Sequence, residues 1–177
     1  MRDSLVLTAV GPDRTGLVEA LAEQISAAGG NWEASHMARL AGQFAGILLV
    51  TIDSAGTDRL LGALKTLEHQ GLAVTIHAAG DAPPPPATHT AFLELTGTDR
   101  VGLVRDVARV LAQRSVNVEE LESEVSSAPM SGEALFTARA VLRIPVEHTL
   151  AIVRADLEAL GSELMVDLDA DDDVIVE

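Results

Sequence analysis

Two short segments hold the residues best suited to chemistry. Residues 11–18 read GPDRTGLV and residues 97–104 read GTDRVGLV. Each sets a carboxylate beside a guanidinium between two glycines, and each follows an apolar, alternating run. An asparagine stands 15 residues after the second glycine in both, at Asn31 and Asn117. Asp13 or Asp99 offers an acceptor for an ammonium group, and Arg14 or Arg100 a cation for a carboxylate. The amide of Asn31 or Asn117 donates and accepts. Together they are the complement of a small zwitterion.

Plainer readings of the same residues stay open. Asp13 and Asp99 stand where a helix N-cap would accept from the orphan donors of the first turn. Arg14 and Arg100 also suit solvated surface or ion-pair positions. Asn31 and Asn117 open strands after helices, where asparagine tolerates left-handed backbone. Gly11 and Gly97 are expected to supply backbone angles barred to other residues. Gly16 and Gly102 are expected in the first helical turn, where glycine costs about 1 kcal/mol relative to alanine. Without a side chain there, a ligand reaches the free N–H groups of the helix start, where the helix dipole favours an anion.

The spacing shows how the two segments arise. Gly97 and Gly11, Arg100 and Arg14, and Asn117 and Asn31 are each 86 residues apart. One register held through a turn, a helix and a strand start means two copies of one unit. In the first, Leu5–Val10 reads as a strand. Leu17, Val18, Leu21 and Ile25 recur at helical spacing until Gly29-Gly30. Strands Asn31–Leu40 and Gln43–Asp53 flank a tight turn at Ala41-Gly42. A helix carrying Leu60, Leu61, Leu64 and Leu67 ends at Gly71, and Leu72–Ala78 is a last strand.

The second copy repeats the order: strand His89–Thr96, helix Val101–Arg114, strands Val116–Ser126 and Ala134–Ile144 around a longer loop, helix Thr149–Leu160 and strand Glu163–Leu168. The order β-α-β-β-α-β predicts an α+β fold of the split β-α-β, ferredoxin-like kind, with antiparallel sheets and both helices on one face. Units are expected at 1–80 and 88–177, joined by a proline-rich, semi-rigid linker at 81–87.

Composition narrows the function. The 177 residues are 47% hydrophobic but only 2% aromatic, so the core is aliphatic. No cysteine occurs, which excludes disulfides, thiolate metal sites and a cysteine nucleophile. Twenty-seven acids against 12 bases leave a net charge of −15, with no basic cluster in the sequence. Direct nucleic-acid binding, which rests on Lys and Arg neutralising phosphates, is not expected. The tail DLDADDDVIVE lacks the glycine and terminal glutamate of an EF-hand loop, so a solvated acidic end is expected rather than a metal site. His36, His69, His77, His89 and His148 are scattered without metal-ligand spacing, and no nucleophile elbow or Walker loop occurs. Neither an enzyme nor a cofactor is expected. The N-terminus is too short in apolar residues for a signal peptide, and no apolar run is long enough for a membrane span, so a cytoplasmic protein is expected.

GPDRTGLV…GGNWE and GTDRVGLV…SVNVE resemble the ACT domain, a ligand-binding module of regulators of amino-acid metabolism. Two such units without a catalytic part resemble the glycine cleavage system transcriptional repressor family. The resemblance implies amino-acid binding near the loop after the first strand, at an interface between two domains. Carried over, the ligand residues are Pro12, Asp13, Arg14, Thr15, Gly16, Leu17 and Asn31, and Thr98, Asp99, Arg100, Val101, Gly102, Leu103 and Asn117. Val101 in place of Thr15 departs from exact repetition, so the two sites need not be equivalent. The resemblance also implies a homo-oligomer that works through a protein partner, a DNA-binding transcription regulator. The alternative is a stand-alone regulatory subunit of an amino-acid biosynthetic enzyme.

Overall fold

The computed structural model describes residues 2–79, 86–127 and 132–171. Most of the linker at 81–87, the centre of the loop after residue 127 and the end of the acidic tail lie outside the described residues. The chain divides into two compact units, Met1–Pro83 and Pro84–Glu177.

Unit one runs β1 (Arg2–Pro12), α1 (Leu17–Ala27), β2 (Asn31–Leu40), β3 (Gln43–Asp53), α2 (Ser54–Glu68) and β4 (Ala73–Ala78). Unit two runs β5 (Thr88–Thr98), α3 (Leu103–Gln113), β6 (Asn117–Ser127), β7 (Ala134–Pro145), α4 (Leu150–Glu158) and β8 (Met165–Ala170). The sheet orders are β2-β3-β1-β4 and β6-β7-β5-β8, with every pairing antiparallel. These are two ferredoxin-like units.

Alternation along the central strands decides which face takes the helices. Leu5, Leu7 and Ala9 of β1 are buried, as are Leu48, Val50 and Ile52 of β3. They pack with Leu21 and Ile25 of α1 and Leu60, Leu64 and Leu67 of α2 in one aliphatic cluster. Unit two builds a separate cluster from Leu93, Leu95, Val107, Leu111, Leu142, Ile144, Val153 and Leu157. The bulge in β2 between Trp32 and Ala34 recurs in β6 between Val118 and Glu120, so the repeat extends to an irregularity.

Turn chemistry follows the residues. Ala41 and Gly42 both have positive φ, 48° and 78°, which closes a two-residue hairpin between the paired Leu40 and Gln43. Gly29, at φ 84°, ends α1, and the next N–H, of Gly30, returns to the Ile25 carbonyl at 2.9 Å. In unit two that left-handed position is Ser115, where a Cβ carries a cost of about 1–2 kcal/mol.

Two glycine expectations are corrected. Gly11 and Gly97 lie inside β1 and β5 and are not among the positive-φ residues. A Cβ on Gly11 would overlap the carbonyl oxygen of Gly71, and one on Gly97 would lie 2.9 Å from that of Glu163. Close backbone approach, not unusual dihedrals, requires these glycines. Gly16 and Gly102 are N-cap residues rather than first-turn residues, left-handed at φ 90° and 88°. Asn31 and Asn117 are likewise not left-handed; Gly29 and Ser115 take that role.

Candidate functional site

Each β1-type strand runs two residues further than its apolar run suggests, because its neighbour keeps pairing. Gly11 pairs with Phe44 and Pro12 with Gln43; Gly97 pairs with Phe136 and Thr98 with Leu135. The following N–H groups continue that register. Asp13 donates to the Gly42 carbonyl and Asp99 to that of Ala134, each at 2.8 Å. The chain then crosses an exposed tip at Thr15 or Val101, turns through the left-handed glycine and enters the helix at buried Leu17 or Leu103.

Neither aspartate caps its helix. The N-cap positions are Gly16 and Gly102, which have no side chain to cap the first turn of α1 or α3. This removes the capping reading of Asp13 and Asp99. It also leaves the first-turn N–H groups, at the positive end of the helix dipole, without an acceptor from their N-cap residue. Gly16→Ala places a Cβ in left-handed backbone and is expected to lower stability by about 1–2 kcal/mol, measured by denaturant unfolding.

Around this shared frame the two corners differ. In unit one, Asp13 Oδ2 is 2.5 Å from Arg39 Nε of β2, and Arg14 donates to the Gln70 carbonyl at 3.2 Å and to its Oε1 at 3.4 Å. Both charged side chains of the motif are engaged by their own unit. In unit two the position of Arg39 is Val125, and the Asp99 side chain has no partner among the described residues. A cavity of about 250 Å³ opens there, lined by Thr98, Asp99, Arg100 and Leu103 and by the turn after α4, residues 160–164.

Arg100 turns away from the tip to Asp106, with Nη1 2.8 Å from Oδ2. Arg105 and Arg109 meet the same carboxylate at 3.0 and 3.5 Å. This is a basic cluster that the linear sequence conceals. Position 106 corresponds to Ala20, and positions 105 and 109 to Glu19 and Glu23. The hydrogen bonds from Arg100 and Arg105 hold the Asp106 carboxyl below the ordinary carboxylate range. A depressed folded-state value means that the ion pair stabilises above the unfolded value and fades as pH falls through the folded one. Asp106→Asn is therefore expected to flatten the acid limb of the stability profile below about pH 4, followed by thermal melts across pH.

Asn31 and Asn117 begin β2 and β6 as expected, but Asn31 Nδ2 donates to Glu33 Oε1 at 2.8 Å. Thr51 Oγ1 donates to the same oxygen at 2.6 Å. These two bonds lower the Glu33 carboxyl. In unit two Arg143, paired with Asn117 in register, reaches Glu119 instead. The turn at residues 160–164 is the part of the site that residue spacing did not reveal. Its signal lay in Gly97, which has no side chain because that turn's backbone passes against it. Among the described residues no group of three His, Cys, Asp or Glu is arranged to hold a metal ion, and no helix is long and apolar enough to cross a membrane.

With this geometry in view, likeness to known proteins is informative. Residues 3–78 match the ACT domain family model. The glycine cleavage system transcriptional repressor of Escherichia coli (strain K12) is 25% identical over 164 residues, covering 90% of this chain and 85% of that protein. The repressor of Shigella flexneri matches equally. A crystal structure of an unknown protein from Galdieria sulphuraria superposes with a TM-score of 0.81 at 29% identity, over 96% of this chain and 99% of that one. Residues 3–78 thus carry the ACT domain match, and the chain over most of its length is similar to the glycine cleavage system transcriptional repressors.

Proposed function

We propose that this chain senses a small amino acid, glycine or one of similar size, and controls a transcriptional regulator of the glycine cleavage system by protein contact. The observation that carries the reading is the unit-two corner. Its cavity of about 250 Å³ is lined by Asp99, whose carboxylate has no partner among the described residues, and by Leu103 at the start of α3, whose N-cap is Gly102. A carboxylate ligand takes the first-turn N–H groups, and its ammonium group takes Asp99. Thr98, Val101 and Gly102 lie at that corner, whereas Asn117, opposite Arg143 and so level with Thr90, stands at the other end of the sheet. In unit one Pro12, Thr15 and Leu17 lie at a corner whose Asp13 and Arg14 are already engaged, and Asn31, level with Ser4, stands at the other end of the sheet.

Control through a protein rather than through DNA agrees with the net charge of −15 and with the repressor relatives. Affinity has a ceiling. Glycine has about five non-hydrogen atoms, and at most roughly 1.5 kcal/mol each gives about 7–8 kcal/mol, near micromolar. A ligand shifts the protein between states only through its differential affinity for them.

The test combines titration calorimetry of the full chain against an amino-acid panel with a reporter for glycine cleavage genes in a deletion strain. Saturable binding of one small amino acid and an altered glycine response support the reading. Absence of binding together with an unchanged reporter rejects it.

A further inference from the structure

Each sheet buries one face under its helices and turns the other away from them. The register assigns side chains to that second face. In unit one, Val6, Thr8 and Val10 of β1 stand opposite Leu49, Ile47 and Ala45 of β3, alternating with the buried Leu5, Leu7 and Ala9. The alternate positions that continue this face through 34–40 of β2 and 73–77 of β4 hold only Ala, His, Leu and Thr. Arg39, opposite buried Phe44, belongs to the helix side. Over these four stretches the face therefore carries no Asp, Glu, Lys or Arg. Its apolar side chains are open to solvent: Ile47 is 47% exposed, Val10 51% and Leu40 80%.

Unit two fills the same positions with charge. Thr8, Ile47, Ala34, His36, Thr75 and His77 correspond to Glu94, Arg139, Glu120, Glu122, Asp167 and Asp169. Those six line one open cleft, where Arg139 pairs with Glu94 at 3.2 Å. A solvated polar face of this kind is usual for an antiparallel sheet covered on one side. Unit one keeps the pairing pattern and discards the charges. A contiguous apolar patch on a folded surface marks a contact site.

We propose that the charge-free sheet face of unit one docks a second copy of this chain, sheet against sheet about a two-fold axis. Size favours it. Four strands spaced about 4.8 Å apart, at roughly 3.4 Å per residue, give a face of about 600 Å² on each copy. Two such faces clear the roughly 1,000 Å² in total that a specific interface needs. Charge favours it as well. Chains of net charge −15 repel wherever carboxylates meet, and on this face none do. A two-fold contact sets one patch against itself, so a face without charge is self-complementary, whereas the acidic face of unit two is not. Packed sheets lie about 10 Å apart with their side chains interdigitated. The inference takes nothing from amino-acid sensing, and its test adds no ligand, so the two stand or fall separately.

The experiment is sedimentation equilibrium of the full chain across micromolar concentrations, beside amide spectra of the isotope-labelled chain over the same range. A monomer–dimer equilibrium is expected, with concentration-dependent shifts at residues 6–10, 34–40 and 45–49. Ile47→Lys is expected to raise the dimer dissociation constant at least tenfold with Tm unchanged. That substitution reduces the net negative charge, so a general charge effect would act in the opposite direction. Should the variant melt early, Val10→Lys serves with the same expectation. Glu122→Gln, on the matching face of unit two, is expected to change the constant less than threefold. A chain that stays monomeric, or a dimer that survives both lysine substitutions, overturns the proposal. So do shifts confined to unit two, since the copies then meet through another surface.

Discussion

Asp99→Asn is expected to weaken amino-acid binding by tenfold or more while leaving Tm nearly unchanged. The substitution keeps the shape of the side chain and removes the charge that receives an ammonium group. A charge-assisted hydrogen bond contributes about 1.5–3 kcal/mol, and each 1.4 kcal/mol is tenfold in affinity. Stability should hold because the Asp99 side chain has no partner among the described residues and the N-cap position belongs to Gly102. Asp13→Asn makes the contrast. Its carboxylate is engaged by Arg39, so binding should change less than threefold. Calorimetric titration of both variants beside thermal melts separates the two effects. Equal losses of binding would show that the corners act alike.

Gly11→Ala is expected to be the most destabilising of the glycine substitutions. A Cβ there overlaps the Gly71 carbonyl oxygen and lies 3.2 Å from Leu72 Cα, both backbone atoms that cannot rotate aside. Overpacking of this kind costs about 1–3 kcal/mol, occasionally more. In a unit of this size each kcal/mol lowers Tm by about 4–8 °C. Gly62→Ala supplies a control of opposite sign. Gly62 lies inside α2, and a methyl group added there would meet nothing within 4 Å, so alanine should stabilise by up to about 1 kcal/mol. Differential scanning calorimetry reads both. A Tm for Gly11→Ala within 2–3 °C of the parent would mean that β1 and the turn at Gly71 part at little cost, roughly half a kcal/mol.

Both expectations rest on features of which residue order revealed only a part. The 86-residue offset carried both units, since helical spacing and strand alternation had to agree twice. Strand ends were harder. Gly11-Pro12 looks like a turn, yet β1 continues through it because β3 begins at Gln43 and supplies partners. Dihedral preference suggested a left-handed Gly11; the approach of a distant backbone turned out to be the reason for it. The motif residues were legible, but their partners were not. Arg14 meets Gln70, 56 positions away, and Asp13 meets Arg39 on a neighbouring strand. The difference between the corners rests on Val125 standing where Arg39 stands, which no local pattern exposes.

The most direct test is an amide-resolved titration of the full chain with glycine, serine and a branched-chain amino acid. For the best of the three, residues 98–104 and 160–164 should shift first and saturate together, with residues 12–18 responding later or not at all. Saturation confined to residues 12–18, or no shift anywhere at millimolar ligand, would contradict a sensing corner in unit two.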